Sequence, residues 1–218
     1  MKRIYVLVLL LLTITCTGCV EKKIAVKNTF CSTQAPALSV TMPEDVQFIG
    51  ETSSYAHKSS IKRYYYAAEN ETHHADRISI FETLTIPRGY YWQPKHLPVG
   101  IGPHTNIYTK DVDGEPYYCR LFLTTPEDEL YDEFSNEFAI RIPDVADVMV
   151  CTKLISSTKK IMFAYIRETD TDKLDGVFDY KRYNPNAMTS EQTHYFNDVD
   201  EELSSEFIMN KFQDSDLN

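Results

Sequence analysis

The sequence predicts an α+β fold: an antiparallel, twisted sheet with a short helix near residues 126–136 and a C-terminal helix. Strand-like runs rich in β-branched and aromatic residues recur from Ala37 onward and are bounded by turn formers. Helical spacing of apolar residues is confined to two short segments in the second half of the chain. A β-sandwich is the alternative.

The first four predicted strands are the segments ALSVTM, VQFIGET, SIKRYYYAA and RISIFETLTI, which begin at residues 37, 46, 60 and 77. In the fourth, Ile78 and Ile80 alternate with Ser79 and Phe81, so both faces of the strand are partly apolar. A strand of this kind is typical of a sheet that is covered on both sides.

A long loop is predicted at residues 87–104, which hold four of the ten prolines and three of the seven glycines. It carries the candidate binding residues of the chain, because flat amphipathic rings on a loop can stack on sugars or bind a partner at low entropic cost. The alternative is a proline-stiffened crossover that places its aromatic rings over one open end of the core. The candidates are Tyr90, Tyr91, Trp92 and His96.

Residues 105–125 predict a β-hairpin. Two strand-like runs flank Asp113-Gly114, and glycine can take the positive φ that a tight reversal needs. A second hairpin is predicted around the turn region Ser156–Lys159. The remaining predicted strands are 137–143, 145–157, 159–170 and 177–185.

Two helices are predicted from their caps and spacing. Thr125 and Pro126 are typical of a helix N-terminus, and acidic residues follow where they favour the helix dipole. Near the C-terminus, Thr189 and Gln192 have the capping-box pattern of a helix that we expect to reach Phe212, with the acidic stretch 198–202 as a candidate break. The apolar face of this helix comprises Phe196, Val199, Leu203, Phe207 and Met209.

The beginning of the chain has the pattern of a secretory signal. Two basic residues precede an apolar run from Ile4 to Leu12, which is shorter than the roughly 20 residues that span a bilayer as a helix. Small and weakly polar residues then lead to Cys19. The pattern predicts that residues 1–18 are removed.

The segment Cys16-Thr17-Gly18-Cys19 resembles the lipid-attachment site of bacterial lipoprotein precursors, in which a small residue precedes the modified cysteine. The resemblance implies a diacylglyceryl group on the Cys19 thiol, cleavage before this residue, and usually acylation of the new amino terminus. The chain departs from the commonest pattern in having Cys16 where leucine is usual, which makes Cys16 the second candidate. An ordinary cleaved signal peptide is the alternative. In this family, aspartate directly after the modified cysteine is associated with the inner membrane. This chain has Val20 at that position, which favours the outer membrane.

The mature chain is expected to consist of an anchored tether and one domain. Residues 20–36 are polar with little periodicity, so we expect 19–36 to form the lipidated anchor and tether. The length that remains suits a single globular domain, residues 37–218.

The charge composition excludes nucleic acid as an expected partner. The chain has 22 Lys and Arg against 32 Asp and Glu, a formal net charge of −10, without a long basic cluster that would bind phosphate backbones. The expected partners are a membrane, through the lipid anchor, and an envelope protein or polymer, through exposed loops.

Five cysteines reduce to three if residues 1–18 are removed and Cys19 is lipidated. An oxidising envelope permits one disulfide among Cys31, Cys119 and Cys151. Cys119 and Cys151 both lie in strand-like runs, which favours a pair between them. The alternative is three buried thiols that behave as small hydrophobic residues.

The sequence contains no strong motif for catalysis, a metal or a cofactor. The acidic segment 169–176 lacks EF-hand spacing, because the position eleven residues after Asp170 is Lys181. Ser156-x-x-Lys159 matches a hydrolase motif but lies between strands rather than at the start of a helix. We therefore expect no catalytic residue, metal or cofactor, and predict a non-catalytic binding domain. The alternative is an envelope hydrolase whose site leaves no sequence motif.

Overall fold

Eleven strands and one long helix occupy the described parts of the chain, residues 23–33, 36–56, 58–92, 107–124, 136–178 and 187–213 of the computed structural model. The strands are β1 (Lys23–Val26), β2 (Thr29–Ser32), β3 (Leu38–Thr41), β4 (Gln47–Ala56), β5 (Ser59–Glu69), β6 (Ala75–Thr85), β7 (Ile107–Val112), β8 (Glu115–Thr124), β9 (Ala146–Leu154), β10 (Lys159–Glu168) and β11 (Ile208–Asn210). The helix, α1, is Ser190–Glu206.

Seven strands form one antiparallel sheet in the order β4-β5-β6-β10-β9-β8-β7. Both predicted hairpins are present, and Asp113 and Gly114 make the β7–β8 turn with φ angles of 51° and 82°. The two halves of the sheet are joined where β6 pairs with β10, which places Phe81 opposite Phe163. The predicted α+β class with an antiparallel sheet is confirmed.

Both faces of the sheet are buried at its central strands, as the alternation in β6 predicts. Ile78 and Ile80 belong to one buried cluster, and Phe81 belongs to the cluster on the opposite face. Phe138 packs against the Ile78 face, close to β4. A β-carbon on Gly50 would lie 2.7 Å from the Phe138 ring, so the glycine permits this close approach.

A second sheet, in the order β1-β2-β3-β11, packs on the Phe81 face. Phe30 of β2 is fully buried and stacks on Phe81, with ring centroids 4.1 Å apart. Leu38 and Val40 of β3 are buried in the same cluster. The two sheets therefore share one core, which α1 completes.

Helix α1 begins as its sequence predicts. The Thr189 hydroxyl accepts a hydrogen bond from Gln192 N at 3.2 Å, and the Gln192 side chain accepts one from Thr189 N at 3.1 Å, so the capping box is present. Phe196, Val199 and Leu203 form the buried face of the helix. The acidic stretch 198–202 does not interrupt it.

The helix ends six residues before the predicted end at Phe212. Phe207 is extended, and its ring packs 4.9 Å from Phe163 and 5.3 Å from Tyr165. The following residues, 208–210, pair with β3 as β11. Burial of Phe207 against the sheet and the β-pairing after it therefore replace the last predicted helical turns.

The predicted tether is wrong for residues 23–33, which belong to the folded domain. β1 and β2 form a hairpin, and β2 pairs with β3. Phe30 and Cys31 are buried in the shared core. β1 and β2 have four residues each, which is too short for the two-residue alternation of a strand to stand out in the sequence of this segment. The domain begins by Lys23 rather than at residue 37.

The strand predicted at 137–143 is also wrong. Residues 136–138 are helical, and Arg141 makes only an isolated bridge to His74. Phe138, Ile140 and Ile142 alternate like a strand because all three cover the Ile78 face of the sheet from an irregular segment. The predicted helix over 126–136 lies outside the described residues except for its last position, as does most of the strand predicted at 177–185.

A disulfide joins Cys119 of β8 to Cys151 of β9, the pair that their strand-like runs favour. The two residues are opposite each other in the sheet register, and both are buried. Cys31 lies in the other sheet, where its Sγ is 3.7 Å from Ser39 Oγ.

Candidate functional site

Antiparallel pairing places different side chains at the two ends of the seven-stranded sheet. At one end of the sheet, β6 and β9 begin and β10 ends. At the other end, β6 and β9 end and β10 begins. The first, which we call the acidic end, carries Asp76, Asp144, Asp147, Glu168 and Asp170. The second, which we call the basic end, carries Lys58, Arg88, Tyr90, Tyr91, Trp92, Lys159 and Lys160 from the β4–β5 edge to its middle, and Asp111, Asp113 and Glu115 at the β7–β8 edge.

The acidic end contains an open cleft of about 650 Å³. Its walls combine the guanidinium groups of Arg77 and Arg167 with carboxylates. Arg77 is paired with Asp45 and lies 3.5 Å from Asp76 Oδ1. The cleft therefore has charges of both signs rather than one anionic surface.

Arg167 is shared among three carboxylates. Its Nη1 lies 2.9 Å from Glu206, and its Nη2 lies 2.7 Å from Glu202 and 3.6 Å from Asp147. Glu202 and Glu206 are on α1, whereas Arg167 is at the end of β10. These ion pairs fix the helix to the sheet.

Asp147 is the most deeply buried carboxylate of the acidic end, with its side chain 2% exposed. Burial raises its pKa, although Tyr195 donates a hydrogen bond to Oδ1 at 2.8 Å and Arg167 acts in the opposite sense. Arg167 balances the negative charge of Asp147 only in part, because its guanidinium also forms ion pairs with Glu202 and Glu206. A carboxyl group with a raised pKa suits acid-base chemistry. Asp147 lies outside the lining of the 650 Å³ cleft and lines a neighbouring cavity of about 330 Å³, where its carboxylate is already engaged by Tyr195 and Arg167.

At the basic end, the loop after β6 lies on the β9–β10 turn. Ile86 N donates to Thr158 O at 2.9 Å, and Trp92 N donates to Ser157 O at 2.7 Å. Gly89 between them has a φ of +95°, which permits the loop to reverse. Two backbone hydrogen bonds therefore hold the Tyr90–Trp92 segment at a defined position on the sheet end.

Lysines from two other segments contact these rings. Lys58 Nζ donates to Tyr90 Oη at 2.8 Å, and Lys160 Nζ lies 4.5 Å from the Trp92 ring centroid. Burial against this surface lowers the pKa of Lys160. Sequence reasoning missed both lysines, because the turn after β4 and the start of β10 meet the aromatic loop only in the folded chain.

The predicted aromatic candidates are brought together, with differing exposure. Tyr90 and Tyr91 are 51% and 61% exposed, whereas Trp92 is partly buried. His96 lies outside the described residues. This end of the sheet thus presents two exposed tyrosines next to Lys58 and Lys160, and the adjacent Trp92 is partly buried.

Other candidate chemistry is accounted for locally in the described ranges. The Asp170 side chain caps a short 3₁₀ helix at Thr171–Lys173, and Ser156 Oγ accepts N–H bonds from Thr158 and Lys159 in the β9–β10 turn. Among residues whose positions are described, no three His, Cys, Asp or Glu side chains are grouped to hold a metal ion. No helix in these ranges is long and apolar enough to cross a membrane.

Comparison with known proteins finds no matching family model, no similar curated protein and no similar solved structure.

Proposed function

We propose that this protein is a lipid-anchored envelope protein that works by binding through its basic end rather than by catalysis. Cys19 is the proposed anchor, after removal of residues 1–18, and the outer membrane is the proposed location. No cofactor or metal is part of the proposal. The partner belongs to the envelope: a protein, a polymer or the membrane itself.

The observation that carries the binding proposal is the segregation of charge at the basic end. The segments from the β4–β5 edge to the middle of this end, 53–62, 83–92 and 154–161, contain five Lys and Arg and no Asp or Glu, in a chain where acids outnumber bases by 32 to 22. The β7–β8 turn, at the opposite edge of the same end, carries Asp111, Asp113 and Glu115, and Glu115 is paired with Lys153. Tyr90 and Tyr91 are exposed on the same surface. Exposed tyrosines are enriched at recognition surfaces, and a cluster of cations attracts an anionic partner.

The acidic end supports binding and catalysis less well. Asp147, Arg167, Glu202 and Glu206 are paired with one another or with Tyr165 and Tyr195. These contacts join α1 to the sheet, so a ligand would have to break bonds that stabilise the fold.

The disulfide supports the proposed export of the chain. Buried disulfides persist in oxidising compartments such as the bacterial envelope and are rare in a reducing cytosol. The Cys119–Cys151 bond therefore agrees with a secretory signal at residues 1–18.

The anchor is tested by membrane fractionation and fatty-acid labelling of cells that produce the full chain. We expect wild type to be labelled and to sediment with membranes, and Cys19→Ser to lose both properties. Cys16→Ser is the matched control, and it should be processed and labelled like wild type. Labelling of Cys19→Ser would refute Cys19 as the anchor.

The binding surface is tested by photo-crosslinking in cells. A benzophenone amino acid in place of exposed Tyr91 should give a reproducible adduct, whether with a protein, a polymer or lipid. The same probe in place of exposed His73, at the opposite sheet end, is the control. Equal labelling patterns from the two positions, or none from Tyr91, would count against the proposed surface.

A further inference from the structure

We infer that the partner of the basic end is an anionic lipid bilayer, on which this end of the domain rests. The inference takes from the proposed function that the chain is anchored at Cys19, and it adds which surface the anchored domain contacts. It depends on where β1 begins, on the length of chain before it, and on the charge at that end of the sheet.

β1 and β2 are oriented by contacts to β4 and β5. Phe48 N, near the start of β4, donates to Lys27 O, which places the β1–β2 turn toward the acidic end. Moving along β2, Thr29 O accepts a hydrogen bond from Tyr66 Oη at 2.9 Å, and the Phe30 ring then packs 5.2 Å from Tyr64. Because β5 starts at Ser59, the step from Tyr66 to Tyr64 leads toward the β4–β5 turn.

The chain therefore enters the domain from the basic end. Lys23, the first residue of β1, pairs with Ser32 at the far end of β2, and Ser32 pairs with Leu38. Ala37, adjacent to Leu38, lines a cavity together with Ile155 of the β9–β10 turn. Lys23, Ser32 and Leu38 therefore lie at the same end of the seven-stranded sheet as the Tyr90–Trp92 loop.

The anchor can be only a short distance from this surface. Cys19 precedes Lys23 by four residues, which span at most about 14 Å when fully extended. A thiol-linked lipid at Cys19 would hold the domain against the membrane, and the end from which the chain enters would be the end that faces it.

The composition of the basic end fits an anionic lipid surface. Lys58, Arg88, Lys159 and Lys160 lie there in segments without an Asp or Glu, and juxtamembrane lysines and arginines are attracted to anionic headgroups. The acids of the β7–β8 turn, at the other edge of this end, have partners within the chain: Glu115 is paired with Lys153, and Asp111 and Asp113 accept backbone hydrogen bonds from Gly114 and Lys211. Tyrosine and tryptophan are enriched at the membrane interface, where Tyr90, Tyr91 and Tyr55, which is 72% exposed, would then lie. The carboxylates of the acidic end would point away from the bilayer.

The chain contains a single tryptophan, which makes Trp92 a site-specific reporter. The lipidated protein is reconstituted in liposomes that contain bromine-labelled phosphatidylcholine, either alone or mixed with phosphatidylglycerol. We expect Trp92 fluorescence to be quenched in the mixed vesicles and to recover in about 1 M salt, where the Debye length falls to about 3 Å. In vesicles of phosphatidylcholine alone, the quenching should be much weaker.

Two double variants separate local charge from net charge. Lys58→Glu with Arg88→Glu reverses charge at the basic end and should abolish the quenching. Lys27→Glu with Lys173→Glu makes the same change of net charge away from that end, and it should leave the quenching intact. Lys27 and Lys58 are matched in backbone conformation, since both have positive φ angles, 49° and 63°.

The outcomes distinguish this inference from the proposed function. Anchored protein whose Trp92 is not quenched, or is quenched equally without anionic lipid, overturns the membrane contact and leaves the anchored binding protein standing. A mature chain whose mass lacks acyl groups overturns both. A protein or polymer adduct from the Tyr91 probe, without lipid quenching, assigns the surface to that partner instead.

Discussion

At the scale of single residues, Phe81 connects the two sheets. Its ring stacks on Phe30 of the small sheet at 4.1 Å and on Phe163 of β10 at 4.8 Å. We expect Phe81→Ala to lower the free energy of unfolding by about 3–5 kcal/mol, because it removes this burial and leaves a cavity. Urea unfolding followed by circular dichroism measures the effect. Tyr55→Ala, at an exposed position, is the control and should change stability by less than about 0.5 kcal/mol.

Asp147 gives a pH-dependent prediction at the same scale. Burial raises the pKa of its carboxyl in the folded state above the ordinary value of 3.8, which applies to the unfolded state. At a pH between the ordinary and the raised pKa, the folded state therefore binds more protons than the unfolded state. Stability from this residue is therefore gained as pH falls through the raised pKa toward 3.8, and it is lost again as pH rises.

We expect wild type to gain stability relative to Asp147→Asn when the pH is lowered from about 7 to about 4. Comparing the two proteins by urea unfolding at each pH cancels the titration of the other carboxylates. A relative loss on acidification would mean that attraction to Arg167, 3.6 Å away, outweighs burial and depresses the pKa.

At the scale of elements, prediction succeeded where the signal is local. The capping box of Thr189 and Gln192 and the turn at Asp113 and Gly114 depend on residues adjacent in sequence, and both are present. The end of α1 was mispredicted because Phe207 leaves the helix to pack on Phe163 and Tyr165, which are distant in sequence. The lysines of the basic end were missed for the same reason.

The cap of α1 gives the prediction at this scale. Thr189→Ala removes the hydroxyl that accepts the Gln192 N–H and should lower the free energy of unfolding by about 1 kcal/mol. Thr189→Ser retains the hydroxyl and should cost much less. Equal losses in the two variants would show that the threonine methyl group, rather than the cap, stabilises the helix start.

At the scale of the whole molecule, the polarity of the sheet links the fold to the proposed function. Ion pairs at the acidic end fix α1 to β10, whereas at the basic end a loop is held by two backbone hydrogen bonds and leaves its tyrosines exposed. Neither end could be assembled from sequence alone, because each combines segments from both halves of the chain. The aromatic loop was nevertheless a usable signal, since it carries Tyr90, Tyr91 and Trp92 together.

The start of the domain gives the last prediction. If β1 and β2 are integral to the fold, a soluble chain that begins at Lys22 should unfold cooperatively, whereas one that begins at Gln34 should not fold. The shorter chain loses Phe30, which alone accounts for about 3–5 kcal/mol by the scale of buried aromatic deletions, and it also exposes the edge of β3. That loss is comparable with the entire stability of many domains, about 5–15 kcal/mol. Thermal unfolding by circular dichroism compares the two chains, and a cooperative transition for the Gln34 form would restore residues 19–36 to the role of a tether.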